Sequence, residues 1–147
     1  MIKLVTVNPD NWRLGLKVSE TQKSFVSDSM KLLARAYAYR NSRSNAFVIY
    51  NDTTPVGMAL YYDCEEINAY DFSQLFIDER YQGNGFGIEA ARQILELMKN
   101  DGKYNKVVLC YIDGNEAARN MYEKLGFRLT GERDGNEISM EKYLDKF

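Results

Sequence analysis

Three alternating glycines follow a strand-like segment and precede a helix-like one. Residues 72–77 read Phe-Ser-Gln-Leu-Phe-Ile, and their aromatic and β-branched content is typical of a strand. Glycines at 83, 85 and 87 allow positive φ or a close approach to a ligand. The next apolar residues repeat at the spacing of a helix with one buried face, at Ile88, Ala91, Ile94, Leu95 and Met98. The stretch therefore predicts a strand, a glycine loop and a helix.

This arrangement is suited to binding an anion. Amide N–H groups at a helix start have no partner inside the helix, and the helix dipole adds roughly half a positive charge there. Because glycine has no Cβ, a phosphate can approach these amides closely. A diphosphate is the expected ligand. The alternative is a glycine-rich turn that only joins strand to helix, and the glycines alone do not decide between the two.

Two familiar phosphate-binding loops do not fit this pattern. A P-loop requires Lys and then Ser or Thr after its last glycine, whereas Ile88 and Glu89 follow here. A dinucleotide fingerprint requires Gly-x-Gly-x-x-Gly and an acidic residue about 20 residues further on. The corresponding stretch is Lys103-Tyr104-Asn105-Lys106, which carries no acid.

The sequence contains no histidine, and this limits the chemistry available. Ser-His-Asp and Cys-His catalytic groups are excluded, as are zinc sites that use histidine. Two cysteines cannot form a four-cysteine site, and we find no metal motif. Enzymatic proton transfers would use Asp, Glu, Tyr, Lys, Cys or water.

Composition indicates one globular domain over residues 1–147. The net charge of −2 and the absence of a basic run argue against nucleic acid as a partner. No secretion signal or membrane-length apolar segment is visible, so we expect no membrane partner. Cys64 and Cys110 are interpreted as small buried residues in a reducing compartment, which favours a cytoplasmic location.

Apolar periodicity predicts the element order β-αα-βββ-α-β-α-ββ, and hence a mixed α/β sheet with helices on both faces. The first predicted helix follows Asn8-Pro9-Asp10, with Trp12, Leu16 and Val18 on one face. The second spans roughly residues 22–39. Asn115 is the expected N-cap of the last helix.

Two motifs resemble those of the GCN5-related N-acetyltransferase (GNAT) family. Gln82, Gly85 and Gly87 form Gln-x-x-Gly-x-Gly, which resembles the family's acetyl-CoA loop. The stretch from Asn115 to Phe127 contains Ala-Arg-x-x-Tyr-x-x-x-Gly-Phe, which resembles its other signature. Both lie in the family's order with a strand between them. The overall pattern resembles the spermine/spermidine acetyltransferase branch.

The resemblance implies a GNAT-type, centrally split β-sheet, open between the strand ending at Ile77 and the strand Lys106–Ile112. The pantetheine arm of acetyl-CoA would lie in the split, paired with backbone at Leu75, Phe76 and Ile77. Its diphosphate would lie on the loop residues Gln82, Gly83, Asn84, Gly85, Phe86, Gly87 and Ile88. Asn115 would hydrogen-bond the pantetheine arm, and the Tyr122 hydroxyl would point at the coenzyme sulfur.

The implied reaction is direct attack of a primary amine on the acetyl thioester. A base must remove the amine proton, and Asp71 is our candidate. Because the aspartate side chain is short, we expect the proton to reach it through a bridging water. Asp71 would share a strand face with Ser73, Leu75 and Ile77. Tyr122 would protonate the departing thiolate, and a backbone N–H at Phe76 or Ile77 would stabilise the oxyanion. The alternatives are a solvated Asp71, a purely structural Tyr122, or a base at Glu65 or Glu66.

The expected acceptor is a polyamine, spermidine or spermine, bound by carboxylates and aromatic rings. Glu20, Phe25 and Asp71 are the candidate substrate-binding residues, by resemblance to the family's acceptor groove. Further acids and aromatics are available at Asp28, Asp63, Glu65, Glu66, Tyr61, Tyr62 and Tyr70. Competing acceptors are an aminoglycoside, an amino acid, a protein N-terminus or a lysine. A non-catalytic acetyl-CoA-binding module is the other alternative, and the resemblance suggests a homodimer.

Overall fold

The computed structural model describes residues 1–25 and 28–144. Its seven strands and three α-helices follow the predicted order, apart from the first predicted helix. The strands are β1 (Ile2–Thr6), β2 (Asn45–Asn51), β3 (Thr54–Cys64), β4 (Ala69–Ile77), β5 (Lys106–Ile112), β6 (Arg128–Asp134) and β7 (Glu137–Tyr143). The helices are α1 (Ser29–Ala38), α2 (Phe86–Asp101) and α3 (Glu116–Lys124).

All strands form one mixed sheet in the order β1-β2-β3-β4-β5-β7-β6. Neighbouring strands are antiparallel except β4 and β5, which are parallel. The connection between β4 and β5 runs through α2, as parallel neighbours require. The predicted mixed, centrally split sheet is therefore confirmed.

The two faces of the sheet carry separate apolar cores. On one face, Ala91, Ile94 and Met98 of α2 pack with Tyr122 of α3. On the other face, Leu32 of α1 packs with Leu16 and with sheet residues such as Leu60. Helices thus cover both faces, as the sequence predicts. Within the described residues, no helix is long and apolar enough to cross a membrane.

The segment before α1 differs from the prediction. Residues 9–13 form turns and residues 14–19 have no regular structure, so the first predicted helix is wrong. Leu16 and Val18 are nevertheless buried, because this segment lies over the α1 core. Burial alone therefore produced the apolar signal that suggested a helix.

The second predicted helix begins later than expected, at Ser29. Asp28 is its N-cap and accepts a hydrogen bond from the Lys31 amide at 2.8 Å. Its buried residue is Leu32, whereas Met30 and Tyr37 are exposed. Residues 26 and 27, within the predicted span, lie outside the described residues.

Candidate active site

A cleft opens where β4 and β5 separate. Only two positions are paired between them, Tyr70 with Val107 and Asp71 with Val108. Beyond these pairs the strands diverge, and a cavity of ≈ 780 Å³ extends along the gap. This volume is within the range of small-molecule and cofactor sites.

One edge of β4 is free along this cleft. Beyond Asp71, β4 is paired within the described chain only with β3. Leu75, Phe76 and Ile77 all line the cavity. An unpaired strand edge presents N–H and C=O groups to which an extended ligand can bind like an added strand.

The glycine loop leads directly into α2. Gly83 and Gly85 have φ of 81° and 79°, a conformation that side chains disfavour. The first helical amide bond runs from Glu89 N–H to the Gly85 carbonyl at 3.2 Å. The amides of residues 83–88 donate to no other group in the described part of the chain. This row of free amides at a positive helix end fits a diphosphate.

Side chains within the loop fix its shape. Gln82 donates from Nε2 to the Ile77 carbonyl at 2.9 Å, and Asn84 donates from Nδ2 to the Tyr81 carbonyl at 3.0 Å. Gln82, Gly83, Gly85, Phe86, Gly87 and Ile88 line the cavity, whereas Asn84 does not. A Cβ on Gly87 would lie 3.4 Å from Ile77 Cγ1, so glycine also allows α2 to approach β4.

Asn115 begins α3 at the mouth of the cleft. Its Oδ1 accepts a hydrogen bond from the Ala118 amide at 3.3 Å, so the predicted N-cap is confirmed. Asn115 also lines the cavity, and its Nδ2 donates to no group in residues 1–25 or 28–144. One side chain can therefore cap the helix and still donate to a ligand.

Tyr122 is buried in α3 and also lines the cavity. Its ring packs edge-to-face against Phe72 and Phe127, with centroid distances of 6.0 and 5.5 Å. Burial raises the pKa of the Tyr122 hydroxyl, which is therefore protonated at neutral pH. No side chain in the described chain hydrogen-bonds to it. The ring is held in place while the hydroxyl keeps its proton.

A β-bulge changes which residues of β4 share a face. Phe72 lies opposite Tyr61 and Gln74 lies opposite Leu60, so Ser73 is an extra residue without a partner. Side chains after Ser73 are therefore shifted to the opposite face. The expectation that Asp71 shares a face with Leu75 and Ile77 is wrong. Asp71 lies instead on the α1 face, opposite Tyr62.

The carboxylate of Asp71 lines the cavity without a fixed partner. It is half-buried and forms no hydrogen bond or ion pair with the described residues. Burial raises its pKa to about 6; the charge of Arg35 acts to lower this pKa, and that of Glu137 to raise it. Asp71 can therefore be ionised at pH 7 and still accept a proton near neutral pH.

The structure separates the residues predicted to bind the acceptor. Phe25 lines the cavity, where its ring lies 3.6 Å from the position of a Cβ on Gly114. Glu20 does not line the cavity; it is exposed and pairs with Lys23 at 2.9 Å. Only Phe25 and Asp71 of this predicted set are thus brought together.

The other acids and tyrosines considered for the acceptor do not line the cavity. Asp28 caps α1, and buried Asp63 is held by Arg43 and Lys103. Glu65 and Glu66 lie in an exposed turn after β3. The tyrosines at 61, 62 and 70 are buried in the two cores. Sequence proximity to Asp71 did not predict which side chains face the cleft.

Sequence reasoning missed several side chains that line the cavity, among them Arg35 of α1, Cys110 of β5 and Glu137 of β7. The prediction of a buried Cys110 is wrong, because this residue is exposed. On the side of β5 that faces β4, pairing ends at Val108, so no strand covers Cys110 there. For Cys110 and Glu137, only the alternation of residues along β5 and β7 could have indicated that both side chains lie on the same face of the sheet. The described residues contain no group of three His, Cys, Asp or Glu arranged to hold a metal.

Comparisons with known proteins give a consistent result. The family model described as "Acetyltransferase (GNAT) family" matches residues 7–127. A spermine/spermidine N(1)-acetyltransferase of Bacillus subtilis is 29% identical over 141 residues, covering 92% of this chain and 91% of the relative.

Solved structures share the fold at lower identity. A spermidine N-acetyltransferase from Vibrio cholerae, crystallised with CoA and spermine, has a TM-score of 0.76 and 17% identity, covering 97% of this chain and 95% of that chain. An aminoglycoside acetyltransferase crystallised with coenzyme A has a TM-score of 0.78 and 14% identity, with coverages of 97% and 95%. Fold similarity therefore does not distinguish between these acceptors.

Proposed function

The chain belongs to the acetyltransferase (GNAT) family, and we propose that it transfers the acetyl group of acetyl-CoA to a primary amine of a polyamine such as spermidine or spermine. Acetyl-CoA supplies the acetyl group as a reactive thioester. This proposal rests on the carboxylate of Asp71, which lines the cavity beside the free edge of β4 and has no hydrogen-bond or ion-pair partner among the described residues.

The glycine loop and the β4 edge would hold the coenzyme. The free amides of residues 83–88 would bind the diphosphate, with Gln82 maintaining the loop. The backbone of Leu75, Phe76 and Ile77 would pair with the pantetheine arm. The free Nδ2 of Asn115 would donate to the same arm.

Asp71 would accept the proton of the attacking amine, directly or through a water. A primary ammonium group has a pKa of about 10, so only about one molecule in a thousand is neutral at pH 7. Burial raises the pKa of Asp71 to about 6, which brings this pKa closer to that of the amine. Relative to an ordinary aspartate, proton transfer becomes more favourable by about a hundredfold.

Tyr122 would protonate the coenzyme sulfur as it leaves. A thiol with a pKa of about 8.5 is a better leaving group when a nearby hydroxyl donates to it. Burial keeps the Tyr122 hydroxyl protonated, as this role requires. A backbone N–H of Phe76 or Ile77, on the free edge of β4, would donate to the negative charge that develops on the acetyl oxygen.

Two observations support a polyamine as acceptor. The Bacillus subtilis relative that matches nearly the whole chain is named for spermine and spermidine. Within the cavity, Asp71 and Glu137 are carboxylates without an ion-pair partner among the described residues, and ammonium groups can approach them.

A second candidate acceptor is an amine that also carries an anionic group, such as an amino acid. Four cationic side chains line the same cavity: Lys23, Lys31, Arg35 and Lys124. Lys31 and Arg35 are one helical turn apart on α1 and have no carboxylate partner in the described chain. These positive charges would attract a carboxylate and repel a polycation.

Thiol release from acetyl-CoA with a panel of amines tests these alternatives. The panel contains spermidine, spermine, a diamine, an aminoglycoside, free lysine and a lysine-bearing peptide. We expect the highest kcat/KM with the polyamines. Preference for free lysine would replace polyamine with the second candidate. Tight acetyl-CoA binding without release for any amine would indicate a non-catalytic module and overturn the enzymatic proposal.

We further propose a cytoplasmic location and a homodimer. Cys64 and Cys110 are both free thiols, which suits a reducing compartment. The dimer follows from the family resemblance alone. Fractionation of cells and light scattering on the purified protein test these two proposals separately.

A further inference from the structure

Two charged side chains from different elements line the cavity on the same side of the sheet as Asp71. Arg35 of α1 donates from Nη1 to Ser73 Oγ at 3.3 Å, and Ser73 is the bulge residue two positions after Asp71. Glu137 is the first residue of β7, where it lies opposite Ile112 of β5. Both side chains line the cavity that Asp71 lines. Neither pairs with an opposite charge in residues 1–25 or 28–144.

Two other charged residues lie on the same side of the sheet: Lys31 of α1 lines the cavity, and Glu141 of β7 lies opposite Val108, the partner of Asp71, and pairs with Arg128. Tyr62, Cys64 and Cys110 are uncharged at neutral pH. Tyr62 lies opposite Asp71 on β3, and burial raises the pKa of its hydroxyl to about 12. Cys64 at the end of β3 and Cys110 on β5 are thiols whose pKa is raised, first by partial loss of solvent around the sulfur and then by nearby carboxylates. Among the charged side chains of the described residues, Arg35 lowers the pKa of Asp71 and Glu137 raises it.

We propose that Arg35 and Glu137 are positioning residues that act on Asp71 with opposite sign, and so set the pH range in which Asp71 accepts the amine proton. This inference rests on the proposed function, in which Asp71 is the base. Arg35 has a second effect, because its bond to Ser73 holds the bulge that places Asp71 on the acceptor side.

The signs follow from electrostatics. A nearby cation favours the ionised carboxylate, so removal of Arg35 shifts the titration of Asp71 to higher pH. A nearby carboxylate disfavours ionisation, so removal of Glu137 shifts the titration to lower pH. Both side chains are exposed to solvent, so both shifts are modest and decrease as salt is added.

The direct test is a ¹³C-carboxyl NMR titration of Asp71, with its resonance assigned by loss in Asp71→Asn. We expect Arg35→Gln to raise the midpoint by about half a unit and Glu137→Gln to lower it by about half a unit. The acid limb of kcat, measured at saturating acetyl-CoA and spermidine, should move in the same two directions. Opposite shifts distinguish this role from general destabilisation, which would not give opposite signs.

Two matched variants control for charge. Lys3→Gln removes an exposed cation on β1, and Glu132→Gln removes an exposed acid on β6; neither residue lines the cavity. Both should leave the Asp71 midpoint unchanged. Arg35→Lys and Glu137→Asp retain the charges, so the Asp71 midpoint in these variants should stay close to the wild-type value.

Midpoints that stay fixed, or that move together, would overturn the proposal. Midpoints that move while the acid limb of kcat does not would remove Asp71 from the reaction, and the proposed positioning role with it. If the wild-type protein turns over no amine in the panel, the proposed function fails. The NMR titration still decides separately whether Arg35 and Glu137 control Asp71.

Discussion

Gln82 donates from Nε2 to the carbonyl oxygen of Ile77 at 2.9 Å, and so joins the start of the glycine loop to the last residue of β4. The same nitrogen donates to Gln22 Oε1 at 2.7 Å, which attaches the loop to the segment before α1. One amide thus links the two surfaces that are proposed to hold the diphosphate and the pantetheine arm.

Gln82→Ala should weaken CoA binding by about tenfold, because the loop amides lose the support of about one hydrogen bond. Isothermal titration calorimetry with CoA measures this. Gln93→Ala is the matched control, since Gln93 on α2 donates a similar bond to the Ile2 carbonyl at 2.9 Å, away from the loop. Equal loss of CoA affinity in both variants would contradict a specific role for Gln82.

Gly85→Ala should reduce both stability and CoA affinity. Gly85 has a φ of 79°, where a Cβ costs about 1–2 kcal/mol. A Cβ there would have no protein atom within 4 Å, so the extra loss of CoA affinity would come from contact with the ligand. Gly131→Ala, at a φ of 91° on β6 and equally open, should cost similar stability but leave CoA binding intact. Urea unfolding and calorimetry separate the two effects.

Tyr122→Phe should lower kcat by about a hundredfold with little change in KM, because it removes the proposed proton donor and retains the ring. Packing against Phe72 and Phe127 should persist, so thermal stability should change little. Steady-state kinetics provide the measurement. Tyr104→Phe, which modifies a tyrosine packed against Tyr70 outside the cavity, should keep full turnover. Full turnover in Tyr122→Phe would refute the proposed acid.

Asp71→Asn should lower kcat by at least about a hundredfold and remove the acid limb of the rate profile. Because burial raises the pKa of Asp71 to about 6, wild-type activity should fall as pH falls through 6. The same shift means that ionised Asp71 costs the folded state stability as pH rises through 6. Asp71→Asn should therefore be at least as stable as wild type at pH 7, measured by urea unfolding. Loss of both stability and activity would indicate a structural role instead.

Asp63→Asn should lower the free energy of unfolding by about 2 kcal/mol. Asp63 is buried, and it accepts from Arg43 Nε at 2.7 Å and from Lys103 Nζ at 2.9 Å. Burial acts to raise its pKa, but these two bonds hold that pKa below its usual value. Its contribution is thus present above about pH 4 and is lost on further acidification.

Asp52→Asn is the control for Asp63, because it alters an exposed pair with the chain's first amino group at 3.0 Å. Urea unfolding at pH 7 and pH 3 should show almost no change for this variant. Equal effects of the two substitutions would contradict the importance of burial at Asp63.

The local features of the proposed coenzyme site could be predicted from sequence. The positive φ at positions 83 and 85 favours glycine. The spacing of Ala91, Ile94 and Met98 predicts the buried face of α2. The N-cap at Asn115 likewise depends on residues close in sequence. Such signals survive without tertiary information, because their physical causes act within a few residues.

The residues around the proposed acceptor site were decided by tertiary structure. Because Ser73 has no partner on β3, Asp71 and the residues after Ser73 that were expected to share its face lie on opposite faces, with Asp71 on the α1 face. Nothing in the local composition predicts this bulge. Arg35 and Glu137 lie far from Asp71 in sequence and reach the same cavity only because α1 covers one face of the sheet and β7 pairs with β5. The sequence alone determined the fold and the loop proposed to hold the coenzyme. The charges around the proposed base depend on register and on which face each strand residue occupies, and long-range packing sets both.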